Sequence, residues 1–60
     1  MGKKLKKALI DAGLTQKELA KRVGVTREYL SLVANDRKKP SKVMLKVLAM
    51  ELGCKPEDLI

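Results

Sequence analysis

Arg27 and Glu28 stand side by side directly after Thr26, and a cationic cluster, Arg37, Lys38, Lys39 and Lys42, follows about a dozen residues later. Arginine offers a planar fork of donors, whereas an ionised glutamate offers only acceptors. Side chains of this kind at the exposed start of a helix suit recognition by hydrogen bonding. Catalysis lacks its parts. The chain has no histidine, no cysteine spacing that would hold a metal and no glycine loop able to cradle a phosphate. No catalytic residue, metal ligand, cofactor or small-molecule substrate is therefore expected. Cys54 is the lone cysteine and follows Gly53, so it reads as a small packing residue.

The elements that must carry these residues are short helices. Leu5, Ala8, Leu9 and Ala12 recur at helical spacing, with Lys4, Lys7 and Asp11 on the other side and Gly13 as a stop. Ile10 falls off the apolar face. Thr15 and Glu18 spell a capping box, and Leu14 before it can staple against Leu19. The second helix should run to Val23, bury Leu19, Ala20 and Val23, and break at Gly24; small Ala20 would let the next helix cross closely. Thr26 then caps a third helix with Leu30 and Val33 on its inner face. Two capped helices around one glycine are the grammar of a helix-turn-helix unit. In such a unit the first residues of the second helix reach DNA base edges. Here they are Arg27 and Glu28.

Beyond it, Asn35 to Pro40 reads as a loop. Ser41 caps a fourth helix whose Leu45, Leu48, Ala49 and Leu52 share one face, and Gly53 ends it. Pro56 suits the first position of a short final helix carrying Leu59 and Ile60 inward. No run alternates with period two. The fold class expected is all-α, a compact bundle of about five short helices, with residues 1–60 forming one domain.

A net charge of +7 favours a polyanionic partner, because a positive field steers and holds phosphate backbones. One cysteine cannot close an internal disulfide, no apolar run approaches a membrane span, and the basic start lacks the apolar core of a signal peptide. A soluble, cytoplasmic domain is what these leave, with no membrane partner.

The stretch L-T-Q-K-E-L-A-K-R-V-G-V-T-R-E-Y-L-S-L-V, Leu14 to Val33, resembles the core motif of the lambdoid phage repressor and Cro-like, or XRE-type, helix-turn-helix family. The resemblance extends from about Leu5 to Leu59. It implies that Gln16 bonds a phosphate or braces the residue below it, and that Thr26 caps the recognition helix while offering a phosphate its hydroxyl or amide. It implies base reading by Arg27 at guanine, by Glu28 at a cytosine amino group, and by Leu32 at a thymine methyl. Tyr29 would give its hydroxyl to a phosphate. The loop bearing Asn35, Arg37, Lys38 and Lys39, with Lys42 beyond it, would lie along the DNA backbone. Lys3, Lys4, Lys6 and Lys7 either reach a neighbouring phosphate or only solubilise the first helix.

Two departures from the family pattern stand out. Asn35-Asp36 replaces the asparagine-glycine common at the end of the third helix; aspartate tolerates the left-handed turn, but its charge opposes a phosphate. Leu9 and Ala34 occupy the positions where many relatives carry a semi-buried arginine–glutamate pair. Replacing both partners by apolar residues is often neutral or stabilising.

The function expected is a sequence-specific double-stranded DNA-binding transcriptional regulator, a repressor of a bacterium or phage. At about 1–3 kcal/mol per base pair, one recognition helix discriminates weakly, so a homodimer on a palindromic operator is the natural remedy. Its contact surface would use the fourth and fifth helices, with Ile60 and Met50. The alternative is an antitoxin or adaptor that autoregulates through the same domain while holding a protein partner. A cationic peptide acting at membranes fits the caps and the multi-helix core poorly.

Overall fold

Helix boundaries are written locally in this chain, and the computed structural model, which describes residues 1–60, shows how. The helices are α1 (Gly2–Ala12), α2 (Gln16–Val23), α3 (Arg27–Ala34) and α4 (Lys42–Leu52), followed by a single 3-10 turn at Pro56–Asp58. Thr15 Oγ1 accepts from the Glu18 amide at 3.1 Å while the Glu18 carboxylate accepts from the Thr15 amide, completing the capping box. Thr26 Oγ1 and Ser41 Oγ accept from the Tyr29 and Met44 amides in the same way. Each cap satisfies one of the amides that a helix start leaves without an intrahelical partner.

All four α-helices also stop alike. A residue just past the helix, immediately after α1, α2 and α4 and one further on after α3, turns left-handed, and the next amide reaches back to a carbonyl of the last turn: Leu14 to Leu9, Val25 to Ala20, Arg37 to Leu32 and Cys54 to Ala49. This is the backbone pattern of the Schellman and αL stops. At three of these stops the left-handed residue is glycine; at the end of α3 it is Asp36, with φ 58°.

The core is aliphatic throughout. Leu5 and Leu9 of α1, Leu19 and Ala20 of α2, Leu30, Val33 and Ala34 of α3, Leu48, Ala49 and Leu52 of α4, and Leu59 form one buried cluster. No polar or charged side chain is buried. Leu9 and Ala34, the positions free of the arginine–glutamate pair, both lie in this cluster, and α1 packs on α3. Leu14, Val23, Tyr29 and Cys54 pack partly buried against it.

Three expectations need correction. Leu59 is fully buried but Ile60 is 65% exposed, because the chain leaves the 3-10 turn with only one of the two side chains facing α4. The final element is a single 3-10 turn, so there are four α-helices rather than about five. Ala12 is exposed at the end of α1, and Val23 is only half-buried, each being the last residue of its helix. No helix is long and apolar enough to cross a membrane.

Candidate nucleic-acid interface

The start of α3 projects from the core because Leu30, Val33 and Ala34 hold the opposite face of that helix. Arg27 and Glu28, in its first turn, are exposed. With Ser31 and Leu32 they line one shallow concavity on the outer face. Leu32 is 42% exposed, a large apolar side chain kept out of the core beside two charged groups. Ser31 belongs to this face as well, a residue not among those expected there; its position four residues after Arg27, one turn along the helix, is the signal for it.

Arg27 also borders a second concavity, with Thr15, Gln16 and Lys17 of the preceding helix start. The turn at Gly24 therefore brings Gln16 and Arg27 to one surface. The amino-terminal ends of α2 and α3 both open there, each presenting the positive end of a helix dipole. Glu18, closing the α2 cap, has its carboxyl held below the ordinary range, first by the Thr15 backbone amide, then by the Thr15 hydroxyl, with Arg22 adding attraction.

Asn35 sits at the far end of α3 and is tied into the protein. Its Nδ2 donates to the Ser31 carbonyl at 2.9 Å, and Lys6 Nζ donates to its Oδ1 at 3.3 Å. The same Nδ2 also lies 3.5 Å from Ser31 Oγ, so both amide hydrogens of Asn35 are directed at Ser31. Lys6 thus joins the loop edge at Asn35, whereas Lys4 donates to the Ile60 carbonyl. Lys38 Nζ lies 5.4 Å from the centroid of the Tyr29 ring, within cation–π range. Lys38 and Lys39, with Asp36 and Pro40, border a groove that runs to Ile60. Arg37 is exposed, its amide anchored on Leu32. Lys42 is exposed at the start of α4 and is joined to none of these by a hydrogen bond or an ion pair.

Asp36 is placed differently from the sequence expectation. Its carboxylate is directed at the start of α1, where Oδ1 accepts from the Gly2 amide at 2.9 Å and lies 3.7 Å from the Met1 amino group. Gly2 is what permits this approach: a Cβ there would run into the Ala34 carbonyl oxygen and stand 2.8 Å from Asp36 Oδ2. Both residues were invisible as partners in the sequence, being 34 positions apart. Cys54 is half-buried, and burial followed by the Asp58 charge pushes its thiol above the ordinary value.

Comparison with known proteins bears on this geometry. A family model described as helix-turn-helix matches residues 5–59. The uncharacterised HTH-type transcriptional regulator YqaF of Bacillus subtilis (strain 168) is 38% identical over 53 residues, which span 88% of this chain and 70% of that protein. Among solved structures, the clp gene regulator ClgR from Corynebacterium glutamicum superposes with a TM-score of 0.90 at 33% identity. That match covers 97% of this chain but 62% of the ClgR chain. The restriction-modification controller protein C.AhdI from Aeromonas hydrophila gives 0.90 at 30% identity, covering 98% of this chain and 86% of its own.

Proposed function

The chain belongs to the XRE-type helix-turn-helix family of DNA-binding transcriptional regulators, and from that premise we propose that it is a sequence-specific repressor, acting in the cytoplasm as a homodimer on a palindromic operator. Residues 1–60 act as one DNA-binding domain, with α3 lying in the major groove. Arg27 grips guanine O6 and N7, Glu28 accepts from a cytosine amino group, and Leu32 meets a thymine methyl. Gln16, Thr26, Tyr29, Asn35, Arg37, Lys38, Lys39 and Lys42 hold phosphates on either side. The observation that carries this reading is the concavity of Arg27, Glu28, Ser31 and Leu32 at the exposed start of α3. A donor fork, an acceptor and an apolar contact converge there, none of them used by the core.

Dimerisation is supported by the outer face of α4. Val43 and Met50 lie two turns apart on that face, 72% and 80% exposed, and Ile60 is exposed as well. The same apolar face would serve the adaptor reading, in which a different protein covers it. Sedimentation of the free protein and of its DNA complex separates the two.

Selection from a random duplex pool at stringent salt tests the proposal. A palindromic consensus with half-sites about one helical turn apart is expected. Recovery of no consensus refutes sequence-specific repression, and recovery of a single half-site refutes the dimer.

A further inference from the structure

We propose that Asp36 is a positioning residue for DNA-backbone binding: by capping α1 from across the fold, it fixes the loop that presents Asn35 and Arg37 to phosphate. The proposal rests on the DNA-binding reading above. Its starting observation is an asymmetry among the helix ends. α2, α3 and α4 each begin with a side-chain cap of their own, whereas α1 has none and carries no acidic residue in its first turn. Conversely, three helices stop on a left-handed glycine and only α3 stops on a residue with a side chain. The two exceptions meet. The carboxylate of the exceptional stop accepts the Gly2 amide of the exceptional start.

A left-handed conformation disfavours any residue with a Cβ, so glycine would serve the turn alone better. Asp36 adds what glycine cannot, an acceptor and a negative charge at the positive end of the α1 dipole. Two further contacts tighten the same junction. The missing Cβ of Gly2 lets α1 close onto the Ala34 carbonyl, and Lys6, one turn along α1, donates to Asn35. The segment leaving α3 is therefore held on α1 by Asp36 and Asn35 in succession, with Arg37 and Lys38 immediately beyond. The bond to the Gly2 amide turns Asp36 Oδ1 toward α1, while the neighbouring Arg37, Lys38 and Lys39 stay exposed.

The sign of one comparison tests this. Asp36→Asn and Asp36→Gly remove the same charge, and both residues tolerate the left-handed turn; only asparagine keeps a side-chain oxygen for the Gly2 amide. If Asp36 were only a repelling charge, both variants would bind DNA more tightly and equally. Positioning requires that D36N bind at least as well as wild type while D36G binds roughly three- to tenfold more weakly than D36N. The slope of log affinity on log salt should be shallower in D36G by about 0.9 for each phosphate contact given up. Anisotropy titrations on one duplex at several salt concentrations give both quantities. Backbone ¹⁵N relaxation of the free proteins reads the loop without DNA, and increased motion at residues 35–39 is expected in D36G alone. Equal affinity and slope in the two variants, or equally ordered loops, overturn the proposal. Absence of salt-dependent binding by the wild-type protein itself overturns the DNA-binding reading, and the positioning role with it.

Discussion

Replacing Leu9 by arginine sets a charge into a site that is 5% exposed and lined by aliphatic side chains. The leucine contributes about 1.5–3 kcal/mol through burial, and an unpaired buried ion carries an effective penalty of several kcal/mol. Against this, a domain of 60 residues has about 3–9 kcal/mol in total, at roughly 0.05–0.15 kcal/mol per residue. L9R should therefore leave the protein mostly unfolded in dilute buffer at 25 °C. Adding Ala34→Glu restores a partner on α3, and contacting residues couple by about 0.5–3 kcal/mol. We expect L9R/A34E to regain about 2 kcal/mol over L9R, yet stay below the wild type, because an apolar pair of matched volume often exceeds a buried ion pair by about 1–4 kcal/mol. Urea melts followed by far-UV circular dichroism, with a fixed concentration of trimethylamine oxide to keep the single variants measurable, close the cycle. A coupling energy below about 0.5 kcal/mol would refute the premise that positions 9 and 34 meet across the α1–α3 contact.

Other consequences are open to simpler measurement. Thr15→Ala and Thr26→Ala each remove an N-cap and should cost about 1 kcal/mol, lowering Tm by about 4–8 °C; serine at either site should recover most of the loss. Because Glu18 is held below its ordinary value of 4.5 in the folded state, its stabilisation is complete above that pH and is lost as pH falls through the depressed value. The acid limb of Tm against pH should therefore flatten in Glu18→Gln, and an unchanged limb would assign acid sensitivity elsewhere. With its thiol pushed up by burial and by Asp58, Cys54 should react with iodoacetamide at pH 7.5 more slowly than a free cysteine peptide, and at the peptide's rate once the protein is unfolded in urea.

The elements were legible because their signals are local. Thr15 with Glu18, Thr26 and Ser41 mark helix starts within three residues of the amides they cap, and Gly13, Gly24 and Gly53 mark stops through their own φ. The outward face of α3 followed from periodicity, since burying Leu30 and Val33 leaves Arg27 and Glu28 outside. What stayed hidden depends on distant chain. The direction of Ile60 is set by how the 3-10 turn docks under α4, and no neighbouring residue encodes it. Asp36 stands out in sequence only as a departure at the turn and Gly2 not at all, and only their approach shows that one caps the other. Lys6 is one of several lysines in α1, and its distinction from Lys4 is a matter of which distant segment lies beside each, the end of α3 or Ile60.

The core contains no aromatic ring, and the chain has no tryptophan or phenylalanine and a single tyrosine. That tyrosine is Tyr29, half-buried in α3 with an ammonium group over its face. The near-ultraviolet absorption and emission of the whole protein therefore come from one ring at the edge of the proposed contact surface. It is a built-in chromophore, and no label has to be attached to follow a ligand approaching that side of the molecule. Its signal also changes when the fold opens, so one optical channel can time both association and unfolding.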